Sequence, residues 1–379
     1  MPQQFSIPNS PEAYYHHRSL ITILPSTQNI SKFQIPSFPY RTVKKDNKKR
    51  QPLEMETFVC YNKKRTRVPI LFKEDVFMEE WKSVKTLAEL QRFFPTETSC
   101  VPFLFQLKWP QGFVCPRCRH PYAYVIRTRR LPLYQCRVCS HQTSLTAGTV
   151  LEGSRTSLRK WITAFWLVSH TDADNGVNAV KLSAVIEVTY KTAWSMLHKI
   201  RAALSHGEAD QLLEDDVNGF IAFYGRSYRS IADLHPREYP LIVAESITPE
   251  GQAMGVKMKL AERNHVAHKV LLRSARDRFI DHHVLRSCST VSIIRQPFRV
   301  HRGGRLYNTF IRARCWMNRT FHGIGITYLQ KYLDEFCFRQ NAASCPISMW
   351  EQLLHLCMSF SPATPPAPTT YRISHRAAA

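Results

Sequence analysis

Apolar positions in the middle of the chain recur with the spacing of helices. In SLRKWITAFWLVSH, Leu158, Trp161, Ala164, Phe165 and Val168 fall on one face of a 3.6-residue helix. NAVKLSAVIEV repeats the pattern with Ala179, Leu182, Ser183 and Ile186, and TYKTAWSMLHKIRAAL with Ala193, Met196, Leu197, Ile200 and Leu204. These last two helices meet at Glu187–Thr189, where Thr189 is placed to cap the second by accepting from a free backbone N–H. A short amphipathic segment spans roughly 80–94. From about 219 the period becomes that of strands: GFIAFYG, YPLIVAESIT and GQAMGVKMKL, separated by turn residues. A helix over 264–284, a short run CSTVSII, and helices over 304–318 and 326–340 follow. Strands flanked by helices predict an α/β unit of roughly 120 residues.

The ends read differently. Residues 1–77 are rich in Pro, Ser, Gln and Asn and carry the charge runs RTVKKDNKKR (41–50) and NKKRTR (62–67), the composition of a disordered basic arm. The stretch SPATPPAPTTY (361–371) predicts an extended C-terminal tail.

Charge narrows the partners. The 379 residues hold 52 Lys and Arg against 29 Asp and Glu, a net charge of +23, which favours a polyanion: nucleic acid or an anionic membrane surface. No stretch approaches the roughly 18 uninterrupted apolar residues of a spanning helix. The start, MPQQFSIPNSPEAYYHH, lacks a basic region followed by an apolar core, so the expectation is a cytoplasmic protein without a secretory signal. In a reducing compartment the eleven cysteines are thiols or metal ligands rather than disulfides. Seven of them (Cys60, Cys100, Cys288, Cys315, Cys337, Cys345, Cys357) have no ligand-like spacing and read as buried or incidental thiols.

The other four do have that spacing. FVCPRCRH and YQCRVCSH supply two Cys-x-x-Cys pairs, Cys115/Cys118 and Cys136/Cys139, with 17 residues between the pairs. Two tight turns with inward thiolates make a tetrahedral zinc site. An iron–sulfur cluster would use similar ligands, whereas a redox Cys-x-x-Cys does not come in two sets. With four protein ligands the zinc has no open position and is structural. Arg117, Arg119, Arg127, Arg129, Arg130 and Arg137 decorate this unit and are candidate phosphate contacts; a merely soluble basic face is the alternative for any one of them.

Residues 176–204 have the length and spacing of a helix-turn-helix whose second helix would enter the major groove, presenting Tyr190, Lys191, Ser195, His198, Lys199 and Arg201. Two packed amphipathic helices of any helical domain would look the same, and the turn lacks the frequent glycine.

The runs WPQGFVCPRCRH, YQCRVCSHQTSLTAGTVLEGSRTSLRKWITAFWLV, VTYKTAWSMLHKIRAAL and TFHGIGITYLQKYLDEFCFRQN together resemble bacterial insertion-sequence transposases that carry a zinc ribbon before a DDE-type catalytic domain. The likeness rests on Trp109-Pro110, on Gln142, Ser144, Gly148 and Thr149, on Lys191 to Trp194, and on the closing stretch 320–341; it covers about 80 to 342. Chains of this kind would begin near Met78. The resemblance implies a ribonuclease-H-like domain in which acidic residues hold two Mg2+ ions for DNA cleavage and strand transfer. The slots for those acids are filled otherwise: Tyr224, followed by Gly225, in the first; Ile294 in the second; Leu306, Tyr307 or Arg312 in the third. Glu214, Asp215 and Asp216 lie just upstream of the first strand and read as a solvated loop, and Asn308 lies near the third slot.

The expected architecture is therefore α/β and multidomain: a disordered arm (1–77), a zinc ribbon with its leading helix (78–150), a helix-turn-helix region (151–208), a degenerate ribonuclease-H-like domain (209–342) and a tail (343–379). The expected function is binding of double-stranded DNA by a catalytically impaired transposase, as a homodimer if it pairs element ends. The alternatives are a zinc-ribbon DNA-binding regulator and an RNA-binding zinc-ribbon protein, although residues 150–204 lack the stacking aromatics of common RNA modules.

Overall fold

A computed structural model describes residues 81–171, 175–225, 233–288 and 290–360, all within one unit, Tyr61–Ala379. The basic arm expected over 1–77 and the tail stretch 361–371 lie outside the described residues.

The N-terminal half is a helical body with a small sheet built into it. A 3-10 turn at Trp81–Ser83 precedes α1 (Leu87–Phe93) and α2 (Glu97–Lys108). Both helices start with a capping box, Thr86 with Glu89 and Thr96 with Ser99, which satisfies N–H groups that have no partner in the first turn. The sequence pattern predicts only the first. In α2, Pro102 sits in the interior, and Cys100, Phe103, Leu104, Phe105 and Leu107 are all buried. Three of these are consecutive, so burial is not confined to one stripe and the helical period is weakly marked.

Strands β1 (Ala123–Ile126), β2 (Leu133–Cys136) and β3 (Gln142–Ser144) form an antiparallel sheet in that order. Helices α3 (Leu158–His170), α4 (Ala179–Ile186) and α5 (Tyr190–Asp210) follow. Every residue assigned from periodicity to the inner face of α3 and α5 is buried. Thr189 caps α5 as its position suggests, Asn178 caps α4, and Glu187 turns the chain between them in the left-handed region (φ 53°). One continuous apolar core runs from Trp81 through Cys115, Tyr134 and Cys136 to α3, α4 and α5. The ribbon and the helical region, expected as separate domains, thus share a core.

The second half is a mixed sheet of β4 (Asp216–Gly225), β5 (Glu238–Ile247), β6 (Ala253–Leu260) and β9 (Val291–Ile294), ordered β6-β5-β4-β9. The first three are antiparallel, and β9 runs parallel to β4, pairing Phe220 with Ile294. A two-residue hairpin (β7, Val266–Ala267; β8, Val270–Leu271) and α6 (Arg273–His283) occupy the span expected as one helix over 264–284. Alternation along β4 sends Phe220, Ala222 and Tyr224 to one face and Val217 and Ile221 to the other. The first face packs under α7 (Arg305–Phe321) and α8 (Ile326–Ala342), the second under α6.

One boundary is corrected. Residues 349–359, expected in the tail, form helix α9 (Met349–Ser359), whose Trp350, Leu353, Leu354, Cys357 and Met358 complete the helical core. Its end is tied to the ribbon loop: Val150 donates its N–H to the carbonyl of Cys357 at 2.9 Å.

Candidate metal centre and nucleic-acid interface

Each Cys-x-x-Cys turn is closed by the same backbone device. Cys115 N–H donates to His120 O (3.0 Å) and Cys136 N–H to His141 O (2.9 Å). The residue after each second cysteine, Arg119 (φ 60°) or Ser140 (φ 56°), takes the left-handed conformation that turns the chain back. The four sulfurs converge: all lie within 4.8 Å of one another, with Cys115 to Cys139 at 3.6 Å and Cys118 to Cys136 at 3.5 Å. Four thiolates around a zinc at about 2.3 Å would be spaced by about 3.8 Å, so the set fits a tetrahedral structural zinc. At Cys136 burial opposes ionisation, but the N–H groups of Cys139 and Val138 prevail and bring the thiol down to about 6, the direction a metal ligand needs. Among the described residues this is the one group of three or more His, Cys, Asp or Glu arranged to hold a metal ion.

The ribbon is clamped to α2. Phe105, Trp109, Phe113 and Tyr134 form an aromatic cluster with ring centroids 4.9–6.0 Å apart. The Lys108 ammonium donates to the carbonyls of Ser144 (3.0 Å), Leu145 (3.2 Å) and Ala147, fixing the loop after β3. Sequence reasoning missed Lys108, because its three acceptors are backbone atoms and leave no side-chain signature.

All six ribbon arginines are exposed. Arg130 lies 3.8 Å from Glu97, and the Arg137 guanidinium lies beside the rings of Tyr122 and Tyr124. On α5, Tyr190, Lys191 and Ser195 are exposed as expected, and Lys199 is half-buried with its ammonium 2.6 Å from Glu152 O.

His198 and Arg201 are corrections: both are buried, at 9% and 2% exposure. The reason is a second packed face of α5, against α8. His198 lies tilted against the rings of Trp194 and Tyr328 (centroids 3.9 and 4.7 Å away), and Arg201 pairs with Glu335 at 2.6 Å and lies over the Tyr332 ring at 4.0 Å. Glu335 also receives Arg339, whose guanidinium reaches Val168 O (2.7 Å) and Thr171 O (3.1 Å). The adjacent Asp334 faces the other way and binds Lys259 of β6 at 2.7 Å. Helix α8 thus ties the helical body to the sheet through buried ion pairs.

Of the slots expected for magnesium ligands, Tyr224, Ile294, Leu306 and Tyr307 gather in one apolar cluster over the sheet. Tyr224 (3% exposed) and Leu306 (7%) belong to one core cluster with Phe220 and Phe310, and Ile294 and Tyr307 pack against it. The Tyr224 hydroxyl donates to Asn318 Oδ1 (3.1 Å) and accepts from Ile324 N–H (3.2 Å), a structural use of the position. At Gly225 (φ 107°) a Cβ would collide with the carbonyl of Arg237, so no side chain fits there. Arg312 and Asn308 are exposed on α7. Glu214 and Asp215 are exposed, and Asp216 accepts from the Thr290 hydroxyl at 2.5 Å. The buried acid on this face, Glu245, stands opposite Asn218 and is met by Arg305 at 3.3 Å. Among the described residues, the slots at Tyr224, Ile294 and Leu306 offer no carboxylate, and these side chains do not fit magnesium ions.

Residues 95–142, which contain α2 and all four cysteines, match the family model of the transposase zinc-ribbon domain, of the IS1595 type. The chain is also similar to an uncharacterized protein in transposable element ISH50 of Halobacterium salinarum, 30% identical over 112 residues, which is 29% of this chain and 37% of that protein. The chain thus spans little more than a third of the length of the curated relative it matches. No solved structure matches. Together these findings support a transposase-like protein with a zinc ribbon. No helix among the described residues is long and apolar enough to cross a membrane.

Proposed function

We propose that this chain is a transposase-derived protein that binds double-stranded DNA and has lost the metal-dependent cutting chemistry of its ancestry. The observation that carries the binding half is the convergence of Cys115, Cys118, Cys136 and Cys139 inside a stretch matched to a transposase zinc ribbon. On this reading the ribbon holds one structural zinc, which shapes the two turns and does no chemistry. Exposed Arg117, Arg119, Arg127 and Arg129 contact phosphates, and Tyr190, Lys191 and Ser195 at the start of α5 face the duplex as the second helix of a helix-turn-helix. His198 and Arg201 are withdrawn from that face.

The loss of cutting is supported by the apolar filling of the slots at Tyr224, Ile294 and Leu306 and by the closed position at Gly225. A mixed sheet with helices on both faces supports a ribonuclease-H-like ancestry for residues 216–342. The second reading, a DNA-binding regulator, shares the same surfaces; inverted repeats flanking the gene would favour the mobile-element form over it. A homodimer, each copy on one element end, and action at the nucleoid complete the proposal.

The test uses the full zinc-loaded chain with duplex DNA from the ends of the flanking element, with and without magnesium. The expected result is a salt-dependent complex without strand cleavage. Magnesium-dependent cleavage that disappears when Glu214, Asp215 and Asp216 are replaced would overturn the catalytic half. Absence of duplex binding at about 0.1 M salt, where the Debye length is still about 10 Å, would overturn the binding half. Preference for structured RNA at matched salt would move the protein to another class.

A further inference from the structure

Between His282 and Leu333 the chain contains nine Lys and Arg and not one Asp or Glu. This stretch supplies β9, the turn after it, α7 and the start of α8. Its centre is RQPFRVHRGGR (295–305), where Arg299, His301, Arg302 and Arg305 are all exposed. In their midst Phe298 is 76% exposed, more than any other large apolar side chain among the described residues.

Phe298 is not on a slack loop. It is the middle residue of a 3-10 turn, Pro297–Arg299, that packs against β4. Pro297 fixes the local φ, Arg299 N–H donates to Gln296 O (3.1 Å) and Val300 N–H to Pro297 O (3.3 Å), while Val300 packs into the core under α7. The backbone is held on both sides, and the ring is held outward.

A single exposed aromatic is ordinary on a protein surface. A fixed aromatic beside Arg299 and Arg302, in a stretch of sequence without Asp or Glu, has the makeup of a stacking platform for unpaired bases. We infer that Phe298, flanked by Arg299 and Arg302, binds single-stranded DNA, the ring stacking on a base and the guanidinium groups holding the adjoining phosphates. The surface lies where the Pro297–Arg299 turn packs on the sheet, on other elements than the ribbon and α5, so the chain would have two nucleic-acid surfaces: one for duplex and one for an opened strand. The inference rests on the DNA-binding reading above and adds a strand state and a place to it. Duplex DNA does not call for Phe298, because its bases are already stacked on one another.

The experiment measures fluorescence anisotropy of the full zinc-loaded chain with a labelled oligo-dT and a labelled duplex of equal length at matched salt. Phe298→Ala is expected to weaken oligo-dT binding about tenfold and leave duplex binding unchanged; Phe298→Trp is expected to restore it and to show quenching on binding. Arg299→Ala with Arg302→Ala is expected to lower the salt slope for oligo-dT by about 1.4, near 0.7 for each lost phosphate contact. Equal oligo-dT affinity in wild type and Phe298→Ala overturns the inference, as does an equal loss on both DNAs. Binding to oligo-rU without binding to oligo-dT overturns its DNA form. Phe298-dependent binding to phosphatidylserine vesicles in place of oligo-dT assigns the patch to a membrane and overturns it. Duplex binding is scored separately: if wild type fails to bind duplex, the proposed function fails whatever the oligo-dT arm shows.

Discussion

Replacing Glu335 by glutamine removes one charge at the junction of the two halves and almost no volume. The carboxylate is 1% exposed and sits between two buried guanidiniums, with Arg201 Nε at 2.6 Å and Arg339 Nη2 at 3.2 Å. The amide cannot neutralise either, so two desolvated cations are left to repel each other. Stranding one member of a buried pair costs about 3–5 kcal/mol, and here a single change strands both partners, so the upper part of that range is expected. With an m-value of about 3 kcal/mol/M, the urea midpoint at pH 7 should fall by more than about 1 M, read by tryptophan fluorescence of the zinc-loaded chain. The triple variant Arg201→Met, Glu335→Leu, Arg339→Met should regain most of the loss, because it removes the charges together. Acid gives an independent check. Burial alone would raise the Glu335 pKa, but Arg201 and Arg339 outweigh it and hold it below the ordinary 4.5. Its contribution is then full above 4.5 and lost as pH falls through the folded value, so the gap between wild type and Glu335→Gln should close only in acid. A midpoint shift under about 0.3 M, or a triple variant no better than the single one, would refute the reasoning.

Three further predictions follow from the ribbon and from α5. Purified chain should carry one zinc, and Cys136→Ser should lose it, with red-shifted emission from Trp109 as the ribbon detaches; metal analysis at full stoichiometry in the variant would sink the assignment. Arg119→Gly should leave stability unchanged or raise it by up to about 1 kcal/mol, because a residue with a Cβ is strained at φ 60°, whereas Arg119→Val should lower it; thermal unfolding decides, and equal melting points would contradict the strain argument. Burial, then the charges of Arg201 and Lys331, push His198 down to about 4, and its ring nitrogens have no hydrogen-bond partner among the described residues. Since the folded value lies below the ordinary 6.5, its stabilisation is full above 6.5 and is lost as pH falls from 6.5 towards 4; His198→Phe should flatten that part of the melting curve, and an unchanged slope would exclude His198 as its source.

How much of this was legible in the sequence depends on how local the interactions are. The four cysteines come in two pairs within tight turns, so spacing alone picked out the cluster in which their sulfurs converge. Helices α3 and α5 each bury a regular stripe, and that stripe could be read from Leu158 to Val168 and from Ala193 to Leu204. The second buried face of α5 was illegible, because Arg201 looks like a surface cation until its partner Glu335, 134 residues away, is placed beside it. Helix α2 was hidden by Pro102 and by burial that is not confined to one stripe, and α9 by its neighbouring proline-rich stretch. An eleven-residue helix of this kind is held by packing, here through Trp350 and Leu353, rather than by propensity. The absence of acids from the slots was plain in the sequence, but their gathering into one apolar cluster was not.

On the proposed reading, in which cutting is lost, that gathering bears on why such a fold persists. Carboxylates brought together to hold two cations repel one another without them, so a working metal site is a local weakness in the free protein. Here Leu306 and Ile294 pack against Phe220 and Phe310 instead. A buried Leu or Ile contributes about 1.5–3 kcal/mol relative to exposure. Tyr224 adds two hydrogen bonds that tie β4 to Asn318 and to the turn entering α8. On the reading proposed above, each replacement moves the sheet from holding metal to holding itself, and the sheet in turn carries the turn that presents Phe298. Returning acids to the slots should therefore cost stability without restoring cleavage. Tyr224→Asp buries an unpaired carboxylate in the apolar cluster that holds Phe220 and Leu306 and breaks both bonds of the hydroxyl, and the slot at Gly225 remains closed by the carbonyl of Arg237. A Tyr224→Asp, Ile294→Asp chain that folded at wild-type stability and bound magnesium would show that the site had been silenced by two residues alone; the packing argues that the surroundings have changed with them.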